Sequence, residues 1–360
     1  MLYVLNPYKG LCLSSEKCPK MGPIYSDGLD QFDWLLALPE VEITTTSAER
    51  AVELPKKKGK EARKERKQLR KLRKASQLAA VTHAKSSGVG NIQSAPPDEE
   101  FNPYVAKKRI KDLHSQIIRS AKGEGDTKLF KCGLVDIYKL DVLYLLPEEW
   151  LNDNNISFMY EMIVTHFLKE HDFGFHIQLL FPAITQLILH FPIEEDLQSI
   201  LPMKDLAKLR VIFLPFNFLD ENDYADLENA NNGDHWALCV LSMVEKKLFV
   251  YDSMAMDGED DALLHKLAQR LQKTLFKPNE KITIVKMKCD QQQNFDDCGV
   301  FLIMFSCFLI AQLVSGEPTD LSVAHVKFNP LLARLKIMEI VYKLSQENNG
   351  QLENQNKAFS

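Results

Sequence analysis

Gln291-Gln292-Gln293-Asn294-Phe295-Asp296-Asp297-Cys298-Gly299 leads into Cys298–Val314 (CGVFLIMFSCFLIAQLV), the most apolar run of the chain. The run includes Gly299, Ser306 and Gln312 and falls short of the about 20 apolar residues that a membrane span requires. It reads as a helix packed inside a globular core, apolar on every side because every side is buried. Cys298 opens that helix. There the unpaired backbone amides and the positive end of the helix dipole favour a thiolate, the nucleophilic form of the side chain. A buried structural cysteine is the alternative, and Cys307, deeper in the same run, fits that description.

A catalytic thiolate requires a base and a group that orients the base. Among nine histidines, His235 stands out by its setting. It follows a polar loop, Asn231-Asn232-Gly233-Asp234, and immediately precedes a strand-like run from Trp236. Asp252 ends the next strand-like run, Leu248–Tyr251. A hairpin turning at Met243–Val244 sets positions 235 and 252 opposite each other, about 5 Å apart, a gap that an Asp–His hydrogen bond closes. Gln292 offers a side-chain amide that could join the Cys298 backbone N–H in holding an oxyanion. Gln291 and Gln293 beside it leave the choice of glutamine open.

The rest of the chain bounds this chemistry. With 360 residues, 45% hydrophobic and 26% charged, it has ordinary globular composition, which excludes collagen-like, mucin-like and wholly disordered classes. Seven scattered cysteines suit a reduced intracellular protein better than a disulfide scaffold. The opening Met-Leu-Tyr-Val-Leu-Asn-Pro has no basic start or long apolar stretch, so no secretory leader is expected. The net charge of −5 conceals an imbalance: residues 56–74 (KKKGKEARKERKQLRKLRK) hold 12 Lys/Arg and 2 Glu, a block of +10, against −15 elsewhere. Such a block is a nuclear localisation signal, a polyanion-binding arm or a solvated linker. The expected location is cytoplasmic, nuclear or both, and any nucleic-acid contact is confined to 56–74.

Three segments follow from texture. Residues 1–100 form an extension, largely disordered, in which Phe32–Leu38 could make a short docking turn. Residues 101–345 form the folded domain, and 346–360 a polar disordered tail. Within the domain, Val105–Ala121 and Asn155–Leu168 are helix candidates, the latter with Ile156, Met159, Ile163 and Phe167 on one face. Leu129–Leu145 contains short strand-like runs. Leu209–Phe218 and Trp236–Leu241 read as buried strands, and Lys281–Lys288 alternates as a half-buried one. Asn329-Pro330 starts a last helix that runs to about Leu344. Helices and strands without regular alternation indicate an α+β layered fold. No CxxC pair, phosphate-binding glycine loop or dinucleotide fingerprint is present, so neither a metal site nor a cofactor is expected.

His235-Trp236, Asp252 and Gln292-x-Asn294-x-x-Asp297-Cys298-Gly299, in that order, resemble the ubiquitin-like-protein-specific cysteine proteases, which process SUMO and the neddylation modifier. Trp150-Leu151-Asn152-Asp153 is similar to that family's signature ahead of a helix. The likeness spans about 129–312, and Phe181-Pro182-Ala183-Ile184-Thr185-Gln186-Leu187-Ile188 resembles the deneddylase (sentrin-specific protease) branch. The resemblance implies a papain-like fold, a central mixed sheet flanked by helices with the nucleophile at the N-terminus of a buried helix. It implies Cys298 as nucleophile, His235 as general base, Asp252 as its orienting partner and Gln292 as oxyanion donor. Trp150 and Trp236 would clamp a Gly-Gly tail, with Asn152 and Asp153 beside them. The implied activity is cofactor-free cleavage after Gly-Gly of the neddylation modifier, in precursors and conjugates, by a monomer. A SUMO protease or a non-catalytic modifier-binding module are the alternatives. The acidic stretch Leu219–Ala230 departs from the pattern and bears on which modifier is taken.

Overall fold

In a computed structural model of the chain, the described residues are 101–121, 123, 126–191, 208–218, 235–255, 261–315 and 320–358, those beyond 348 by their backbone. The extension 1–100 with its basic tract, the acidic stretch 219–230 and the loop 231–234 lie outside them.

Five strands make one mixed sheet in the order β3-β4-β5-β6-β7: β3 (Ile177–Leu179), β4 (Val211–Asn217), β5 (Trp236–Ser242), β6 (Lys247–Tyr251) and β7 (Thr283–Met287). The two outer pairs are parallel, while β4-β5-β6 run antiparallel. A separate hairpin joins β1 (Lys128–Cys132) to β2 (Val135–Tyr138).

β4 and β5 are buried at every position, so their run of apolar residues is continuous rather than alternating. Period-two geometry sends Phe213, Leu238, Val240, Phe249 and Tyr251 to one face. There they meet helix α6 (Cys298–Val314). Ile212, Leu214, Cys239, Leu241 and Val250 go to the other. That face is covered by α4 (Pro182–His190) and α5 (Ala262–Leu275). The apolar run that begins at Cys298 is thus a core helix. No helix among the described residues is long and apolar enough to cross a membrane. The α+β expectation is borne out, as is its papain-like form: a buried helix packed against a mixed sheet, with Cys298 at the helix's first position.

Helices α1 (Pro103–Ser120), α2 (Lys139–Leu143), α3 (Asp153–Met162) and α7 (Pro330–Ala358) complete the order. Asn329 caps α7 through Oδ1 and the Leu332 N–H at 3.0 Å, as its Asn-Pro start predicts. The helix does not stop near Leu344 but continues to Ala358, through the residues expected to form a disordered tail. Within this part of the helix Asn348 donates to the Leu129 carbonyl at 2.8 Å.

Candidate active site

The β5–β6 hairpin turns through Met243–Lys246, with Lys246 at φ 55° and its N–H on the Ser242 carbonyl at 2.9 Å. The register therefore pairs Leu238 with Tyr251, and, continued, sets Asp252 opposite Ala237 rather than His235. That is a slip of two residues from the expected pairing. A two-residue slip keeps every side chain on its face, and His235 becomes the diagonal neighbour of Asp252, within reach of an imidazole. Nε2 of His235 lies 2.5 Å from Oδ1 of Asp252. Asp252 is itself held, Oδ1 accepting from the Met254 N–H at 2.8 Å.

His235 is buried and its ring stacks on Phe218. Nδ1 has no hydrogen-bond partner among the described residues, and the Cys298 thiol lies near enough to act on the imidazole. Burial alone pushes the imidazole pKa down. The charge and hydrogen bond of Asp252, joined by the Cys298 thiol, outweigh it and hold the pKa up, to about 10. Cys298 opens α6 and is buried. Asp297 precedes it as N-cap, yet makes no side-chain bond to the first-turn amides. Unpaired amides at a helix start are donors of the kind that stabilise a developing oxyanion.

Gln292 is fixed at both ends: Oε1 accepts from Ser253 Oγ at 2.6 Å and Nε2 donates to the Asn294 carbonyl at 2.7 Å. Its N–H also bonds the Ser253 carbonyl at 2.8 Å. The amide carries a second hydrogen on Nε2, so the bond to Asn294 does not exhaust it. Gln291, the competing candidate, is turned to the Asp252 and Cys289 carbonyls, and Gln293 to the Gln291 carbonyl.

The two indoles are tied to this loop region. Trp150 Nε1 donates to Asp296 Oδ1 at 3.0 Å. Trp236 Nε1 donates to the Leu151 carbonyl at 3.1 Å. Trp236 is buried, its ring against Gly299, where an added Cβ would stand 3.3 Å from Trp236 Cδ1 and 2.9 Å from Leu151 Cβ. Glycine after the nucleophile is what lets α6 approach the Trp150–Leu151 segment.

Asn152 and Asp153, expected beside the clamp, stand at the start of α3. Asn152 is the N-cap of α3, Oδ1 accepting from the Asn155 N–H at 2.9 Å, while its amide donates to Asp141 Oδ1 at 2.7 Å. Both ends of this buried side chain point inward. Asp153 is half-buried at the first position of α3, and burial pushes its carboxyl up to about 6.

Arg334 was not legible as part of the site. Its guanidinium lies buried behind Asp297, although a charged residue on the buried stripe of Ala333, Ile337, Met338 and Val341 was the available signal. Among the described residues no cluster of His, Cys, Asp and Glu could hold a metal ion.

The sequence matches the model of the Ulp1 protease family, C-terminal catalytic domain, over residues 149–331. Sentrin-specific protease 8 of Homo sapiens is 31% identical over 163 residues, covering 45% of this chain and 72% of that protein. NEDD8-specific protease 2 of Schizosaccharomyces pombe is 30% identical over 216 residues, 58% of this chain and 49% of that protein. Among solved structures, the C-terminal Ulp1 protease domain in complex with SMT3, the yeast ortholog of SUMO, aligns with a TM-score of 0.44 at 18% identity, covering 65% of this chain and 95% of that one.

Proposed function

The chain belongs to the Ulp1 protease family, whose catalytic domain it contains and whose members are cysteine proteases, and on that premise we propose that it cleaves after the C-terminal Gly-Gly of the neddylation modifier. The observation that carries the reading is the convergence of Cys298, His235, Asp252 and Gln292 at one end of α6 and the β5–β6 pair.

In this reading His235, held protonated by Asp252, pairs with the Cys298 thiolate. The thiolate attacks the terminal glycine carbonyl. The oxyanion that forms meets the Cys298 N–H and the free hydrogen of Gln292 Nε2. Collapse transfers the His235 proton to the departing amine and leaves a thioester on Cys298. Water, deprotonated by His235, hydrolyses the thioester and frees the modifier. Trp150 and Trp236 flank the incoming tail. Glycine alone is narrow enough to run extended between two indoles, so the passage selects Gly-Gly by size.

Two features support the neddylation modifier over SUMO: the Phe181–Ile188 run, and relatives named as sentrin-specific protease 8 and NEDD8-specific protease 2. The catalytic unit is residues 101–345 with the added helical end, acting as a monomer, while 1–100 serves to direct the enzyme to its cytoplasmic or nuclear sites. The test is cleavage of a modifier precursor bearing a C-terminal extension. The full chain releases the extension, whereas Cys298→Ala still binds the precursor and releases none. Equal cleavage by the variant would remove Cys298 from the reaction.

A further inference from the structure

Arg334 reaches two loops that are far apart in sequence. From α7 its Nε donates to Asp297 Oδ1 at 2.8 Å. One terminal nitrogen donates to the Tyr144 and Leu146 carbonyls at 3.3 and 3.1 Å. The other donates to the Glu149 and Asp296 carbonyls at 2.7 and 2.9 Å. One rigid fork thus joins the cap of the nucleophile helix to the segment that ends at Trp150. A guanidinium presents five donors in a fixed plane, and no other side chain spans four carbonyls and a carboxylate.

The contact continues toward Gln292. Asp297 Oδ2 accepts from Asn294 Nδ2 at 2.8 Å. Asn294 Oδ1 accepts from the Asp296 and Asp297 N–H groups, both at 3.1 Å. The Asn294 carbonyl accepts from Gln292 Nε2 at 2.7 Å, and Gln292 Oε1 accepts from Ser253 Oγ at 2.6 Å. None of these bonds involves His235. The imidazole is set by the Asp252 carboxylate from the sheet, and the network meets that side at Ser253, through Gln292.

We infer that Arg334 is a positioning residue: through Asp297 and Asn294 it sets Gln292 for the oxyanion, and through the Glu149 carbonyl it holds Trp150 against the same loop. This rests on the reading of the chain as a Gly-Gly protease. Its pairing with Asp297 also lets that carboxylate remain buried beside the nucleophile, since a buried charge needs a partner.

The experiment uses the full chain and Arg334→Lys, which keeps the charge and loses the fork. Turnover of the neddylation-modifier precursor is measured per active site, counted by titration with a modifier vinyl sulfone. Alkylation of Cys298 by iodoacetamide is measured alongside, because that small reagent needs the thiol and imidazole but no oxyanion donor. The expected result is a kcat about tenfold lower or more and a KM raised as the Trp150 segment loosens, with the alkylation rate within about twofold of the parent. Combined with Gln292→Ala, Arg334→Lys should add less than about twofold to the loss, because both act on one donor. Unchanged kcat per active site, alkylation falling in step with kcat, or fully additive losses would overturn the role, each being what mere support of the fold produces. If Arg334→Lys does not fold, Asn294→Ala breaks the same chain farther along and faces the same criteria. A parent enzyme that cleaves no modifier would instead defeat the reading on which the inference rests.

Discussion

His235 sets the pH behaviour of the site. Its folded pKa lies above the ordinary histidine value of 6.5, so the charged imidazole contributes stability that is complete below about pH 6.5 and lost as pH rises toward about 10. The same proton keeps the imidazolium beside the thiolate. Asp252→Asn removes the anion that holds the proton on, so the alkaline limb of kcat/KM should move to lower pH. A pH–rate profile of the two proteins checks this, and coincident alkaline limbs would show that Asp252 does not tune the imidazole. Gln292→Ala deletes one oxyanion donor and should lower kcat by about 10²-fold with little change in KM. Of the four proposed catalytic residues, Cys298, His235 and Asp252 each have a local signal, a helix start, a strand start and a strand end, whereas Gln292 was chosen over Gln291 and Gln293 only through the family resemblance. The register that joins His235 to Asp252 was misread by two residues because Ser242-Met243-Val244-Glu245 has weak turn chemistry. The face survived the error, since only an odd slip exchanges faces.

At the scale of elements, α3 and α6 show how sequence motifs divide between chemistry and architecture. The Trp150–Asp153 signature yields an indole tied to the nucleophile loop and a helix cap locked to Asp141. Asn152→Ala should therefore act on stability. Loss of the cap costs about 1 kcal/mol, with more from the unpaired Asp141 oxygen, and kcat per folded molecule should be unchanged. Thermal melts and titrated kinetics separate the two effects. Gly299→Ala should be worse than its size suggests, because the added methyl meets Leu151 at 2.9 Å, and Leu151 precedes that cap. The expected outcome is a lower melting temperature together with a higher KM, as the Trp150 segment is pushed from α6. The helix at Pro182–His190 and the length of α7 were not legible. Both depend on packing partners outside any local window, as with the bond of Asn348 to Leu129, 219 residues away.

For the whole molecule, the two faces of one buried sheet divide the labour. One face carries α6 and the site, the other is covered by α4 and α5. The fold class was legible from the apolar strands and the core helix. The arrangement around the nucleophile was not, since Arg334 gathers carbonyls up to 190 residues distant. The charge imbalance divides along the same boundary: the +10 tract at 56–74 precedes the domain, whose remainder is acidic. Deleting residues 1–100 should leave kcat/KM on the modifier precursor within about twofold, because no part of the proposed chemistry requires them, while altering distribution between nucleus and cytoplasm. The most direct test of the central claim is a panel of vinyl sulfones built on the neddylation modifier, SUMO and ubiquitin, with the labelled residue identified by mass spectrometry. The neddylation-modifier probe is predicted to form an adduct on Cys298 ahead of the others, whereas labelling of a different residue, or no labelling by any probe, would contradict it.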